Sequence, residues 1–424
     1  MNILILHRVP YARIDYARGI DHERHDVTYF GKREVLATLP PGLRCSAVER
    51  PGVGSAFDEA RAWLRSAPRS VAEVFDRVIS LSEYELLDAA QLREWLGVPG
   101  AGVDQVRLVR DKILMKQAVQ RAGLRVPRFL PLGDFLDLRG RVAWSQGTVL
   151  KPHSGASSAD VVVFESPQQA FDAISGRSSG VSKLDGERPE IGEYEVEEFV
   201  SGPVVHFDGL VDSGRVVALT ASRYVGTCLG YAQGLPLGSH HIPLTDAARL
   251  WTRQVLHAVE IHHGSFHLEA IENGPDLVFL EVGNRVGGAD VVATFELATG
   301  VHLPSQELRI LLGEPVCLPP TSGPRESRWH GWFVYPGHQA GHGTYNGFDG
   351  ADEFRNSAAV VSWNELPPTT TLRSHVTYSA HEAPLAGIVA TQSPDDTRLW
   401  MESLFASARL RLDPPADLPL KNAA

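Results

Sequence analysis

The sequence predicts a mixed protein of the α/β (α+β) class, and three observations carry that reading. Strand-like apolar runs alternate with helical patterns over the first hundred residues. A series of short strand-like runs then fills much of 147–282. Two of those runs flank a hairpin turn, and each carries a glutamate among apolar neighbours. At 424 residues the chain is long enough for two or three domains. Its 43% hydrophobic and 21% charged residues match ordinary globular proteins and exclude disordered and fibrous classes. The net charge of −11, with no basic run, argues against a nucleic-acid or anionic-membrane partner. A local cationic pocket for phosphate is still compatible with that total.

Ile3–Leu6 reads as a buried strand and Val78–Leu81 as a second, followed by Glu83-Tyr84-Glu85 and a helix over Leu86–Leu96 that stops at Gly97. This alternation predicts a Rossmann-like domain over 1–105. No GxGxxG follows its first strand, so no dinucleotide is implied. The start lacks a cationic leader, and no apolar stretch approaches the roughly 18 residues of a membrane helix. Cys45, Cys228 and Cys317 are odd in number and far apart, which suits neither a disulfide framework nor a zinc ribbon. A soluble, cytoplasmic protein is the expectation.

One helix is predicted over 106–123, ended by Gly123 and Pro127. Its apolar stripe at Leu108, Met115, Ala118, Val119 and Ala122 would include Asp111 and Lys112. A charge on a buried stripe is costly unless it is paired or meets a ligand. Strands follow at Thr148–Lys151, Asp160–Phe164, Tyr194–Val200, Val204–Val211 and Val216–Thr220, with a loop over Ser175–Pro189. Lys151 ends its strand beside Ser154, Gly155, Ala156, Ser157 and Ser158. Small residues there let backbone N–H groups approach an anion, and the lysine adds a point charge. A strand-end lysine is otherwise simply solvated.

Glu195, Glu197 and Phe199 share one strand face, and Val196, Glu198 and Val200 the other. The segment reads either as an exposed edge strand or as one that meets a purine edge. A helix near Ala247–Val259 leads to strands Ser265–Ile271 and Leu277–Val282, joined by Asn273-Gly274-Pro275-Asp276. Folding this hairpin puts Glu269 opposite position 280 or 281. Two carboxylates that close repel each other and lose hydration, and a divalent cation relieves both costs. Oxygen ligands without clustered His or Cys favour Mg²⁺ over zinc. The alternative is a register that turns one glutamate to solvent. Arg285 follows within one turn, in Gly283-Asn284-Arg285-Val286-Gly287-Gly288. The spacing His338-x3-His342 lies among glycines with no obvious third ligand.

In order along roughly 78–312, these segments resemble the ATP-grasp superfamily of carboxylate–amine ligases. The matching stretches are Asp111–Lys116, Ala122–Pro127, Val149–Pro152, Glu197–Val200, His267–Glu269 and Leu280–Gly288. The resemblance implies an ATP-grasp fold with an N-terminal Rossmann-like domain (1–105), an ATP-grasp domain (106–314) with a mobile lid at about 140–200, and a linker and small C-terminal domain (315–424). It implies amide or peptide bond formation from a carboxylate, an amino acid in the first instance, and an amine, with release of ADP and phosphate. The alternatives are a carboxylase or kinase-like ATP-grasp enzyme, or a non-catalytic nucleotide-binding protein.

The implied roles follow residue by residue. Lys112, Lys151 and the loop with Ser154, Gly155, Ala156, Ser157 and Ser158 would hold ATP phosphates. Glu197, Glu198, Phe199 and Val200 would meet adenine. Glu269 and Glu281 would bind Mg²⁺, with Mn²⁺ as a substitute. Arg285 would steady the substrate carboxylate beside Gly287 and Gly288. His267, His240, His241 or Asp290 would accept the amine proton, and Arg223, Tyr224 and His267 are further substrate candidates. Two positions depart from the family pattern. Gly283 stands where a metal-binding Asn is usual, so either Asn284 replaces it or one metal is held less fully. Val204 stands where a ribose-binding Glu is often found, so the ribose contact falls to His206 or Asp208, the alternative being that both are only strand residues. The implied partners are small-molecule substrates, and a homodimer would be in keeping with such ligases.

Overall fold

A computed structural model describes residues 1–66, 75–155, 157–319, 328–341 and 343–413. Four strands, β1 (Asn2–His7), β2 (Asp26–Gly31), β3 (Ser46–Glu49) and β4 (Arg77–Ile79), form a parallel sheet ordered β3-β2-β1-β4. Ile3–Leu6 is buried on both faces, which is why it reads as a continuous apolar run. Helices Ala56–Ser66 and Leu86–Leu96 cover one face through Ala60, Leu64 and Leu92. Leu308 and Leu312 of the helix Leu303–Leu312 help cover the other. Leu86–Leu96 ends as the sequence predicts, with Gly97 at φ 68° and its N–H turned back to Arg93 and Glu94 carbonyls.

The single helix expected over 106–123 is two, Val103–Leu108 and Lys112–Arg121. Asp111 is the N-cap of the second: its carboxylate accepts the N–H groups of Ile113 (2.9 Å) and Leu114 (3.0 Å). The charge on the buried stripe is therefore not Asp111. It is Lys116, which has no solvent exposure.

β5 (Phe129–Pro131), β6 (Thr148–Pro152), β7 (Val162–Phe164) and β8 (Tyr194–Glu198) form an antiparallel sheet ordered β5-β8-β6-β7 over a core that includes Phe135 and Leu150. The loop expected over Ser175–Pro189 carries a short helix, Ser182–Asp185. The largest sheet begins with β9 (Val204–Asp212), β10 (Arg215–Val225), β11 (Leu237–Ile242), β12 (Gly264–Asn273) and β13 (Asp276–Gly283). After the helix Asp246–Ala258 has packed against it, β14 (Trp329–Tyr335) pairs with β11. Strands β15 (Thr344–Asp349) and β18 (Arg409–Asp413) pair separately. β16 (Val360–Glu365) and β17 (Leu385–Thr391) complete the order β13-β12-β9-β10-β11-β14-β17-β16. Three strands of the C-terminal segment, β14, β16 and β17, thus extend the sheet that carries the glutamates.

Among the described residues no helix is long and apolar enough to cross a membrane. Ala156, His342, part of the linker stretch and the tail from 414 lie outside the described residues. His338 bonds the Ala232 carbonyl through Nε2 (3.0 Å).

Buried Glu307, in the helix Leu303–Leu312, packs against β12. Burial pushes its carboxyl up from 4.5 to about 7. The folded chain keeps a proton that the unfolded chain releases above about pH 4.5. The contribution is therefore fully present below that pH and lost as pH rises through about 7. Glu307→Gln is expected to raise unfolding free energy at pH 8 by on the order of 3 kcal/mol and to leave it nearly unchanged at pH 4. Denaturant titrations at the two pH values check this.

Candidate active site

The hairpin places Glu269 opposite Glu281, with a register shift after Glu269 that leaves Leu280 of β13 without a partner. Tyr224 on β10 donates its hydroxyl to Glu269 Oε1 (2.6 Å), and His267 Nε2 lies 3.3 Å from the same oxygen. Lys112 Nζ sits 3.0 Å from Glu281 Oε2 and donates to the Gly155 carbonyl (3.3 Å). The Lys112 N–H donates to the His153 carbonyl, so the helix start is stitched to the loop after β6. Burial pushes the Glu281 carboxyl up, and the Lys112 and Lys151 charges outweigh it, bringing it down to about 2. Glu281 is thus an anion at neutral pH, as a metal ligand must be.

A second cluster lies alongside. Lys116 Nζ donates to Glu195 Oε1 (2.7 Å) and Glu197 Oε2 (2.6 Å), and stands 4.6 Å from the centre of the Phe129 ring. Lys151 Nζ contacts Glu197 Oε1 at 2.6 Å. Burial lowers Lys151, but Glu197 and Glu195 raise it further, to about 12. Each Glu197 oxygen thus meets one lysine. The Glu198 N–H donates to the Arg128 carbonyl and its carboxylate pairs with Arg128. The Phe199 N–H donates to the Gly147 carbonyl. Among the expected loop residues, Ser154 Oγ donates to the Arg110 carbonyl, and Ser157 and Ser158 adopt positive φ.

Arg285 Nε donates to Glu83 Oε2 (2.7 Å) and Nη1 to the Val286 carbonyl (2.8 Å). Glu83 also pairs with Arg110. Sequence reasoning did not place Glu83 at this site. The available signal was its position just after a parallel strand, where ligand-facing loops emerge.

Several expectations are corrected. Asn284 leaves the metal set: its amide nitrogen bonds the His263 and Ser265 carbonyls (3.1 and 2.7 Å), and Ser265 lies four residues, roughly 13 Å, along β12 from Glu269. Gly287 serves packing: a Cβ there would lie 2.8–2.9 Å from Val291 and Asp208. Gly288 faces open space. Arg223 is committed to Glu272 (2.5 Å). His240 and His241 sit on β11, three strand spacings or roughly 14 Å from β12. Burial keeps them neutral, at about 4 and 3. Burial also pushes Asp290 up.

His206 does not face a ribose. It is buried, with Nδ1 2.5 Å from Asp208 Oδ2 and Nε2 2.6 Å from Ser239 Oγ. Asp208 Oδ1 is 2.7 Å from His267 Nδ1. The ligand atoms of these three residues fall within 4.8 Å of one another. Each Asp208 oxygen takes one histidine at hydrogen-bond length, so the trio reads as a proton-bonded brace. Burial lowers His267, and Asp208 and Glu269 outweigh it, raising it to about 9. Both His267 ring nitrogens face carboxylates, Nδ1 at Asp208 and Nε2 at Glu269. His267 holds Glu269. Asp208→Asn is expected to lower kcat/KM by roughly 10- to 100-fold and to raise the Mg²⁺ concentration needed for half-maximal rate. A steady-state rate measured against Mg²⁺ checks both.

Two open cavities flank β8 without containing the acidic pair. One, of about 490 Å³, is lined by Pro152, Lys183 and Tyr194; the other, of about 630 Å³, by Arg128, Trp144 and Phe199.

No family model matches the chain. An L-arginine-specific L-amino acid ligase of Bacillus subtilis is 25% identical over 297 residues, covering 68% of each chain. The L-amino acid ligase of Bacillus licheniformis superposes with a TM-score of 0.68 at 19% identity, covering 97% of this chain and 98% of that one. Phosphoribosylglycinamide synthetase from Anaerococcus prevotii gives 0.64 at 11%, covering 97% and 99%. The biotin carboxylase domain of a Hydrogenobacter thermophilus 2-oxoglutarate carboxylase, solved with MgADP and bicarbonate, gives 0.65 at 15%, covering 97% and 90%.

Proposed function

We propose that this chain, whose fold is that of the ATP-grasp carboxylate–amine ligases, joins an amino-acid carboxylate to an amine at the expense of ATP, releasing ADP and phosphate. The observation that carries the reading is convergence: Lys112 reaches Glu281, and Glu281 stands opposite Glu269 in the hairpin.

The residues present fit a hard divalent cation. Glu269 and Glu281 are carboxylates, one held ionised, and a lysine supplies the counter-charge beside them. Bound Mg²⁺ would neutralise phosphate charge there. Lys112, Lys151 and the backbone of 154–158 would position the phosphates. Val200, past the end of β8, is the backbone candidate for the base edge. A substrate carboxylate oxygen takes the γ-phosphoryl group as the bond to ADP breaks, which gives the carbonyl a good leaving group. The amine then attacks the carbonyl, phosphate departs and the amine loses a proton. Arg285, oriented by Glu83, would bind the carboxylate and stabilise the oxyanion of that attack. The segment at about 140–200 carries Lys151 and would close over the nucleotide to exclude water. The domain limits near 105 and 314, a cytoplasmic location and the use of Mn²⁺ belong to the same proposal.

The test is product analysis with ATP, Mg²⁺ and pairs of amino acids, with L-arginine first because of the Bacillus subtilis relative. ADP and phosphate should appear only when an acid and an amine are both present. AMP and pyrophosphate would overturn the reading.

A further inference from the structure

The oxygens of the acidic pair are not all open to a metal ion. Glu269 and Glu281 are directly opposite on β12 and β13, so their side chains stand side by side. One oxygen of each is engaged. Glu269 Oε1 accepts the Tyr224 hydroxyl at 2.6 Å and has His267 Nε2 at 3.3 Å. Glu281 Oε2 has Lys112 Nζ at 3.0 Å. Glu269 Oε2 and Glu281 Oε1 have no partner among the described residues, and neither is sealed in the interior. The two positions after Glu281 that could add a donor do not. Gly283 shares the face of β13 that carries Glu281 but has no side chain. A Cβ there would meet Arg285 Cγ at 3.3 Å and Nε at 3.5 Å, so the stem of a cation lies over that place. Asn284 is turned to the His263 and Ser265 carbonyls.

Lys112 can hold Glu281 and meet a nucleotide together. Its ammonium has three N–H donors. Glu281 Oε2 and the Gly155 carbonyl (3.3 Å) take two, which leaves one for a phosphate oxygen. The lysine is also held from behind. It opens the helix capped by Asp111, and its own N–H donates to the His153 carbonyl at 3.0 Å. A divalent ion on Glu281 Oε2 would have to displace this ammonium or stand against it. The Lys112 side chain is 11% exposed, so water and salt screen that repulsion little. We infer that the site takes one divalent cation per nucleotide, held by Glu269 Oε2 and Glu281 Oε1, and that the Lys112 ammonium on Glu281 Oε2 takes the place of a second. Tyr224 is then a positioning residue that leaves Glu269 one oxygen for the metal. This rests on the ligase reading and adds to it the number of ions and a second role for Lys112. The charges agree: two carboxylates balance one divalent ion, and Lys112 and Arg285 are left for phosphate and substrate carboxylate.

The experiment counts ions without turnover. The full chain is dialysed against Mn²⁺ and the β,γ-methylene analogue of ATP, which keeps three phosphates and is not cleaved. Bound Mn²⁺ is read from its electron paramagnetic resonance signal, and bound nucleotide is measured in the same samples. The parent should hold one Mn²⁺ per bound nucleotide, unchanged when free Mn²⁺ is raised tenfold beyond saturation. Lys112→Met removes the ammonium and frees Glu281 Oε2, so the ratio should rise to two. Lys112→Arg keeps the charge, and its ratio should stay at one. Because the readout is a ratio to bound nucleotide, weaker nucleotide binding by a variant does not alter it. The parent and Lys112→Arg still test the inference where Lys112→Met fails to fold. Two Mn²⁺ per nucleotide in the parent or in Lys112→Arg would overturn it, as would a ratio of one in folded Lys112→Met, or nucleotide bound with no Mn²⁺. Those outcomes leave the ligase reading standing. A parent chain that binds no nucleotide sinks the ligase reading and this inference with it.

Discussion

Glu281→Gln should reduce turnover by roughly 10³-fold or more while leaving the fold intact. The magnitude follows from losing a divalent-cation ligand where phosphoryl charge develops, an effect of several kcal/mol. Glutamine matches glutamate in shape, and Glu281 lies at the cleft rather than in the core, with a third of its side chain exposed. The change also leaves Lys112 without its anion, so nucleotide binding without Mg²⁺ should tighten or hold while catalysis fails. Steady-state ADP release and a melting curve measure the two effects. Activity within tenfold of the parent would remove Glu281 from the metal site.

The second large effect is on stability. Lys116→Met should cost about 3–5 kcal/mol, because removing one partner leaves buried charge uncompensated. Lys116 is fully buried between Glu195 and Glu197, and Glu195 Oε2 already lacks a partner. Two lysines face two glutamates in this cluster. Taking one lysine away leaves Lys151 to balance both carboxylates. Adding Glu195→Gln to Lys116→Met restores the charge balance as Lys151 with Glu197, and most of the lost stability should return. Denaturant unfolding of both single variants and the double variant measures the coupling. Equal stability of Lys116→Met and the parent would contradict the cluster as described.

Local signals made much of this molecule legible. Leu86–Leu96 announced its end with Gly97, and Asn273-Gly274 with flanking apolar runs marked the hairpin and put Glu269 opposite 280 or 281; the shift that selects Glu281 has no local signal in the turn. The break between Leu108 and Lys112 escaped because apolar period continues through it. Asp111 is a cap residue, and read as a cap it would have ended the helix and pointed to Lys116, four residues after Lys112 on one face. The brace of His206, Asp208 and His267 had a signal too: polar residues at alternate positions of two otherwise apolar strands, 206 with 208 and 267 with 269. Pairing those two faces required knowing that β9 lies next to β12. The Arg285–Glu83 contact spans 202 residues and joins different sheets, so no local pattern could show it. Asn284 was misplaced for a related reason, since its carbonyl partners lie at the far strand end.

The central claim is that the acidic pair and its lysines serve phosphoryl transfer to a carboxylate. An amino-acid donor labelled with ¹⁸O in its carboxylate tests it most directly, with mass analysis of the phosphate released during amide formation. One ¹⁸O atom should appear in each phosphate. Unlabelled phosphate, with the label in AMP instead, would contradict the account.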